Sequence, residues 1–359
     1  MMDKASNDPS ISISCFSKQV LSFQTSTPLK HLTSKRDVIV KTLIYKNSRH
    51  TKFHTKRHSM PYLLLLLSLL GLSACSSPKE QDENNLPVQT KTIEIHSINE
   101  LNDLFADLNY TSESWKAGQR EVPRIYFAKI SQDWKQTSDK IPVKEKKNIF
   151  FRLLGPLVLM SNEEIEKERL RLSTESKDSS WTRDLALKYR VIKKDEQELS
   201  QARFDELKKR VDIIPPSLAL AQGAEESGWG TSRFAAEGNA LFGQWDFSGE
   251  GMRPTQQRKE LGDYGLARFD TALDSVKGYM LNLNTSHAYE KLRTLRQELR
   301  TKNEKVTGWK LAETLDKYSE RGKAYIDGLH DMMSYNKLQA TDDAYLANGP
   351  EIHLKKAKQ

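Results

Sequence analysis

The chain has 359 residues, 37% hydrophobic and 29% charged, which suits a folded globular protein and excludes a collagenous or largely disordered one. Its formal charge of +8 comes wholly from the first 74 residues, which hold 11 Lys/Arg against 3 Asp/Glu, while the other 285 hold 45 of each. A body without a basic surplus excludes nucleic-acid binding driven by net charge, and no nucleic-acid partner is expected.

In chain order, residues 1–74 read as a leader. Pro61 to Ala74 is dense in leucine (Leu63 to Leu67, Leu69, Leu70 and Leu72) and follows the basic residues Lys52, Lys56 and Arg57. It is too short to span a bilayer, which takes ~20 apolar residues, but has the length of a signal-peptide core. Leu72-Ser73-Ala74-Cys75 resembles a bacterial lipobox. The resemblance implies cleavage before Cys75 and lipidation of its thiol and new amine, and more than one acyl chain gives stable attachment. Ser76, not Asp, follows, which by similarity to Gram-negative lipoproteins implies an outer-membrane anchor facing the periplasm. Residues 1–59 are long for the start of a signal peptide, as translation from Met60 or a nearby upstream codon would explain.

Cys15 and Cys75 both precede the body, which therefore has no disulfide framework and no cysteine metal site. His96, His287, His330 and His353 lack metal-ligand spacing, so neither metal nor cofactor is expected.

Residues 75–94 read as a polar, lipidated tether. Residues 95–200 form a helical N-terminal region. Ser97 starts a capping pattern before Ile98, Leu101, Leu104, Phe105 and Leu108 at helical spacing. Val122 to Ile130 reads as a short strand or extended segment, and Lys144 to Leu172 as a long helical stretch interrupted at Pro156. A loop over 173–180 precedes renewed helical patterning from Trp181. Residues 201–340 form a second domain, mainly helical, with a Gly-rich insert near 248–265 that suits a hairpin or small lobe. Residues 341–359 read as a polar tail. The expected class is mainly α (α+β).

The chemistry concentrates between Pro215 and Trp245. Ser217 is placed to cap a helix carrying Leu218, Leu220, Ala221 and Ala224, which delivers Glu225 and Glu226 and then breaks at Gly228-Trp229-Gly230. Desolvation beside an apolar helix end and a tryptophan raises a carboxyl pKa, and a carboxyl protonated near neutrality can act as a general acid. The two glutamates lie about 100° apart around the helix, so only one faces a given cleft. The pattern also allows two ordinary solvated glutamates, although negative charge is unfavourable at a helix C-terminus.

Ala221-Gln222, Glu226-Ser227-Gly228-Trp229-Gly230, Ser232 and Asn239-Ala240-Leu241-Phe242-Gly243 strongly resemble the glucosaminidase domain of glycoside hydrolase family 73. Val122-Pro123-Arg124, Pro215-Pro216-Ser217, Asn282 to Thr285, His287-Ala288-Tyr289 and Tyr318-Ser319-Glu320-Arg321-Gly322 extend the resemblance to bacterial Bax-type proteins over roughly 95–340. It implies a lysozyme-like catalytic domain with a small second lobe. The implied activity is hydrolysis of β-1,4 bonds after N-acetylglucosamine in peptidoglycan or a related glycan, with Glu226 as general acid. Tyr325 matches a family tyrosine, whose hydroxyl holds the N-acetyl group or orients Glu226 unless it only packs helices. Asn239 fixes a turn or meets a sugar directly. Trp229 and Trp245 offer ring faces to sugars or fill the core. Glu225 supports Glu226 at most.

One departure stands out. Many relatives carry a second acid just before the segment that is Leu266-Ala267-Arg268-Phe269-Asp270 here, and that position is Gly265. Asp263 and Glu260 are nearby substitutes that would activate water. Attack by the substrate's own N-acetyl oxygen needs no second carboxylate and tolerates the departure better. The departure also leaves open a non-catalytic glycan-binding scaffold of the envelope.

Overall fold

The computed structural model describes residues 89–196, 198–255, 257 and 264–357. Cys75, Glu260 and Asp263 lie outside the described residues, as do the leader and most of the tether. The described chain is mainly α with few short strands, as its patterning predicts.

Strand β1 (Thr90–Ile95) leads into helix α1 (Ile98–Asp107), whose first turn is capped by the Ser97 hydroxyl accepting from the Glu100 N–H at 3.1 Å. Short elements follow: α2 (Ser112–Lys116), β2 (Glu121–Val122), β3 (Ile125–Phe127) and α3 (Trp134–Ser138). Then comes α4 (Val143–Thr174), the longest helix described. It is followed by α5 (Ser180–Lys188), α6 (Gln201–Arg210), α7 (Pro216–Ser227) and α8 (Arg233–Gly238). The hairpin strands β4 (Trp245–Asp246) and β5 (Gly265–Leu266) are followed by α9 (Ala272–Thr285) and α10 (Glu290–Thr301). The chain ends through α11 (Gly308–Ala312), α12 (Lys323–Tyr335), β6 (Tyr345–Leu346) and β7 (Glu351–Lys356).

Helix α4 passes through Pro156 without interruption. Proline removes one backbone rung and crowds the preceding turn, a cost of about 3 kcal/mol. Burial on two sides offsets it. Ile149 and Leu159 enter a cluster with Leu101, Phe105, Val122, Ile125 and Ile352, while Phe150, Leu154, Leu157 and Val158 join the main core around α7 and α9. Thus α4 is a shared wall between two apolar clusters. A third, of Phe234, Ala240, Met252 and Leu266, fills the small lobe.

The expected polar tail is instead structural. β7 is the central strand of a parallel sheet ordered β1-β7-β3, with Leu354 opposite both Ile93 and Phe127. β6 pairs with β2. Backbone ladders ignore side-chain polarity, and Ile352 needs only one apolar neighbourhood, which the N-terminal cluster supplies. Arg124 joins the same layer to α4 through a fork of hydrogen bonds to Glu163, at 3.0 and 2.6 Å.

A second correction concerns the start of α7. Ser217 lies inside the helix rather than at its cap. The cap is Asp342, also from the supposed tail, which accepts from the Ser217 N–H and hydroxyl and from the Gly308 N–H, each at 2.9 Å. A carboxylate there satisfies free amides and complements the helix dipole.

Asp212 organises the junction of α6, α7, α9 and α10. It is buried, 2.8 Å from Arg300, 3.6 Å from Arg296 and 3.7 Å from Arg169. Burial alone would raise its pKa, but these guanidinium groups hold it below the ordinary value. Asn284 bridges the network, accepting from Arg296 at 2.8 Å and donating to the Asp212 carbonyl at 2.9 Å. Because the folded-state pKa is depressed, this stabilisation is present above the unfolded value and lost as pH falls through the folded one. Asp212→Ala leaves the buried Arg296 uncompensated and should cost about 3–5 kcal/mol, measurable by urea denaturation at pH 7.

Candidate active site

Helix α7 is buried from Pro216 to Ala224. Its passage through the core depends on Gly223, where a Cβ would meet Leu154 at 2.7 Å and Phe242 at 3.3 Å. The helix ends at Gly228, and three successive residues, Gly228, Trp229 and Gly230, have φ of 56°, 63° and 75°. For a bulky residue such as Trp229 this conformation is strained and requires surrounding support.

That support is visible. Ser227 donates to the Gly223 carbonyl at 2.5 Å and accepts from the Gly230 N–H at 2.8 Å. The Trp134 indole N–H donates to the Trp229 carbonyl at 2.8 Å. The Trp229 ring meets Phe150 and Phe151 edge-on at 5.7 and 5.2 Å, with the Lys147 ammonium 4.8 Å from its centre. Trp229 is therefore packed against α4, and the N-terminal region holds the turn that follows Glu226.

Glu226 is partly buried on the last turn of α7. Desolvation pushes its carboxyl up to about 7; the Tyr325 hydrogen bond lowers it, Glu225 raises it and Arg321 lowers it. A directed chain of hydrogen bonds ends on it. Tyr279 donates to the Gln222 carbonyl oxygen at 2.6 Å, the Gln222 amide donates to the Tyr325 oxygen at 3.0 Å, and Tyr325 donates to Glu226 Oε1 at 2.8 Å. Gln222, Tyr279 and Tyr325 are all buried. With Oε1 accepting from Tyr325, the carboxyl proton of neutral Glu226 belongs on Oε2. The Tyr325 hydroxyl is thereby committed to orienting Glu226, and its ring stacks on Tyr318 at 5.3 Å.

The other expected residues are distributed differently. Asn239 is buried and bonded at both ends of its amide: Oδ1 accepts from the Ile130 N–H at 3.1 Å, and Nδ2 donates to the Phe269 and Asp270 carbonyls at 3.0 and 3.3 Å. It closes α8 at φ 52°, a role that asparagine suits. These three bonds tie the N-terminal segment to the small lobe. Trp245 stacks on Tyr264 at 4.6 Å, lies 5.7 Å from the exposed Phe247 and packs against the main core.

Gly265 has a structural reason. It lies opposite Asp246 in the hairpin, and a Cβ there would sit 2.7, 2.8 and 2.9 Å from backbone atoms of Gly251. No side chain fits without moving the backbone. Asp246 accepts from the Ser248 N–H and hydroxyl at 2.9 and 2.8 Å, so it closes a local turn. Among the described residues, no group of acidic, histidine or cysteine side chains is arranged to hold a metal ion.

Two contributors carried no assigned role in the sequence reading, Gln222 and Tyr279. Gln222 had a signal. It is a polar residue in an apolar helix run, four positions before Glu226, hence on the same face. Tyr279 had none, because its place at helical spacing reads as core.

Comparison with known proteins follows this geometry. Residues 201–347 match the family profile Glucosaminidase, described as mannosyl-glycoprotein endo-beta-N-acetylglucosaminidase. The chain is 32% identical over 199 residues to Protein bax of Escherichia coli (strain K12), across 54% of this chain and 70% of that protein. No solved structure matches it.

Two substitutions test the site. Gly265→Ala should destabilise the protein by about 1–3 kcal/mol through overpacking, read by chemical denaturation. Tyr325→Phe should slow glycan cleavage by roughly 10–100-fold through lost orientation. It should also move the basic limb of the pH–rate profile upward, since the lost bond favours the ionised form of Glu226.

Proposed function

This chain belongs to the Bax-type family of glucosaminidase-domain proteins and is a glycan-cleaving hydrolase, and on that premise we propose that it cuts peptidoglycan after N-acetylglucosamine with Glu226 as general acid. The observation that carries the proposal is a carboxyl at the end of a buried helix with Oε1 held by the Tyr325 hydroxyl at 2.8 Å, where burial pushes it up to about 7. Such an acid keeps a substantial protonated fraction near neutrality, as donation to a leaving oxygen requires.

In the proposed reaction Glu226 Oε2 gives its proton to the glycosidic oxygen as the bond to the anomeric carbon breaks. The N-acetyl carbonyl oxygen of the same sugar attacks that carbon and forms a cyclic intermediate. Water then opens the ring, passing a proton to the Glu226 carboxylate and restoring the acid. This route needs no second carboxylate and suits the backbone contact that excludes a side chain at Gly265. In the competing route, Asp263 or Glu260 activates the water directly. The half-buried Trp245, stacked on Tyr264, is the aromatic offered to a sugar ring in this proposal. The cellular setting in this proposal is the periplasm of a Gram-negative bacterium, with a lipid on Cys75 anchoring the protein to the outer membrane.

The test is turnover of purified peptidoglycan by soluble protein from Ser76 to Gln359, beside Glu226→Gln. Mass spectrometry of borohydride-reduced products should show reduced N-acetylglucosamine ends with the parent protein and none with the variant. Reduced N-acetylmuramic acid ends would overturn the bond assignment, and glycan binding without products would favour a scaffold. Replacing Asp263 and Glu260 together should leave the rate intact; a loss as large as that of Glu226→Gln would sink the substrate-assisted route.

The sign of the pH dependence follows from the raised pKa. Activity should fall as pH rises through about 7, where Glu226 loses its proton. The native state also favours the neutral carboxyl, so its stabilising contribution is complete below the unfolded value and lost as pH rises through the folded one. Glu226→Gln should remove that decline in thermal stability between pH 5 and 8, measured by calorimetry in buffers matched for ionic strength.

A further inference from the structure

Beside Glu226 lies an ion pair that the proposed reaction does not use. Arg321 Nη2 is 2.8 Å from Glu225 Oε1, and both side chains are about one-third exposed. The two residues are 96 positions apart, so the contact is made by the fold. Arg321 reaches it because Gly322, at φ 52° and ψ −119°, turns the chain into α12. Those angles suit glycine and are costly for any residue with a Cβ. The guanidinium also lies 5.2 Å from the centre of the Tyr325 ring, whose hydroxyl holds Glu226. A negative and a positive charge thus flank the acid, one from its own helix and one from the Tyr318–Gly322 segment.

We infer that the Glu225–Arg321 ion pair keeps the proton release of Glu226 at the level its burial sets, each partner cancelling most of the other's field at that carboxyl. The inference rests on the general-acid reading of Glu226 given above. Neither residue is catalytic; both are positioning residues that act through Glu226.

The surroundings make this pair the adjustable part. Tyr325 on α12, Tyr279 on α9, Tyr318, and Tyr289 in the turn before α10 also act on Glu226 or are acted on by it. Burial pushes all four phenols upward, so they stay neutral over the working range. Among the described residues, the charges acting on Glu226 are those of Glu225, which strengthens its hold on the proton, and Arg321, which weakens it. Losing either partner uncovers the field of the other, so the two single replacements must act in opposite directions. Simple loss of structure has no reason to do this.

The test compares pH–rate profiles on peptidoglycan for the purified parent protein, Glu225→Gln, Arg321→Gln, Arg321→Lys and the double neutral variant. Glu225→Gln should move the basic limb down by about 0.5–1 pH unit, and Arg321→Gln should move it up by a similar amount, the scale for a neighbouring charge partly exposed to water. The double variant and Arg321→Lys should both lie close to the parent. Single variants that shift in the same direction, or leave the limb in place, would overturn the inference. A carbon-13 NMR titration of the Glu226 carboxyl, assigned by its absence in Glu226→Gln, applies the same criteria without turnover. A parent protein with no turnover would therefore refute the general-acid reading, while the titration would still decide the role of the pair.

Discussion

Ending a buried helix with a carboxyl group sets an electrostatic condition on everything around it. From Pro216 to Ala224, α7 has almost no contact with water, and Glu226 follows on its last turn. An ionised carboxylate there would be poorly solvated, so the group remains protonated to about pH 7 or must find compensating partners. The surrounding helices supply few. Tyr325 offers one hydrogen bond, Gln222 and Tyr279 support Tyr325 from behind, and the nearby phenols are neutral. A fully satisfied polar chain in an apolar setting is rigid, because each lost bond would strand another buried group. The same rigidity that keeps the chain satisfied keeps the acid aimed.

The N-terminal region is part of this arrangement. The Ala128 carbonyl accepts from the Ala272 N–H at 2.8 Å, Ile130 donates to Asn239, and Trp134 donates to the Trp229 carbonyl. These contacts fall in one stretch of seven residues, and two of them hold residues with positive φ, Trp229 and Asn239. Strained conformations persist when neighbours over-determine them. Here the neighbours come from outside the 201–347 segment that matches the glucosaminidase family. β7 joins the first and last described elements further, since it pairs with β1 and β3 while its Ile352 enters the N-terminal cluster.

The small lobe follows a different logic. Gly251 and Gly265 approach so closely that a Cβ on either would meet the other's backbone, at 3.0 Å and 2.7 Å respectively. Met252 and Leu266 exchange backbone hydrogen bonds at 2.8 and 2.9 Å beside this contact, and both side chains are buried. The hairpin thereby gains a compact core at Gly265, the position where the family resemblance led to the expectation of a carboxylate. A reaction that draws its first nucleophile from the substrate, as proposed above, is compatible with that contact.

Much of the site was readable along the chain. Periodicity marked the buried face of α7 and the glycines after Glu226 marked its end, while desolvation chemistry left two solvated glutamates as an alternative until the family resemblance singled out Glu226. The mainly helical class and the hairpin near 248–265 were equally local, since hydrophobic spacing and turn residues act over a few positions. Other features depended on distant partners. Pro156 lies within a continuous helix because apolar clusters on two sides offset its cost, and Asp342 caps α7 from 125 positions away. A tail rich in polar residues became a central strand because ladder hydrogen bonds are made by backbone. Gly265, read locally, is a missing acid; in three dimensions it is a contact with Gly251. The sequence by itself determined which helix would carry the acid and where that helix would stop, because those signals are local. Only the tertiary structure decided which oxygen Tyr325 would hold, which charges would flank the acid and what would support the strained turn, because each needs groups far apart in the chain to meet within a hydrogen bond's length.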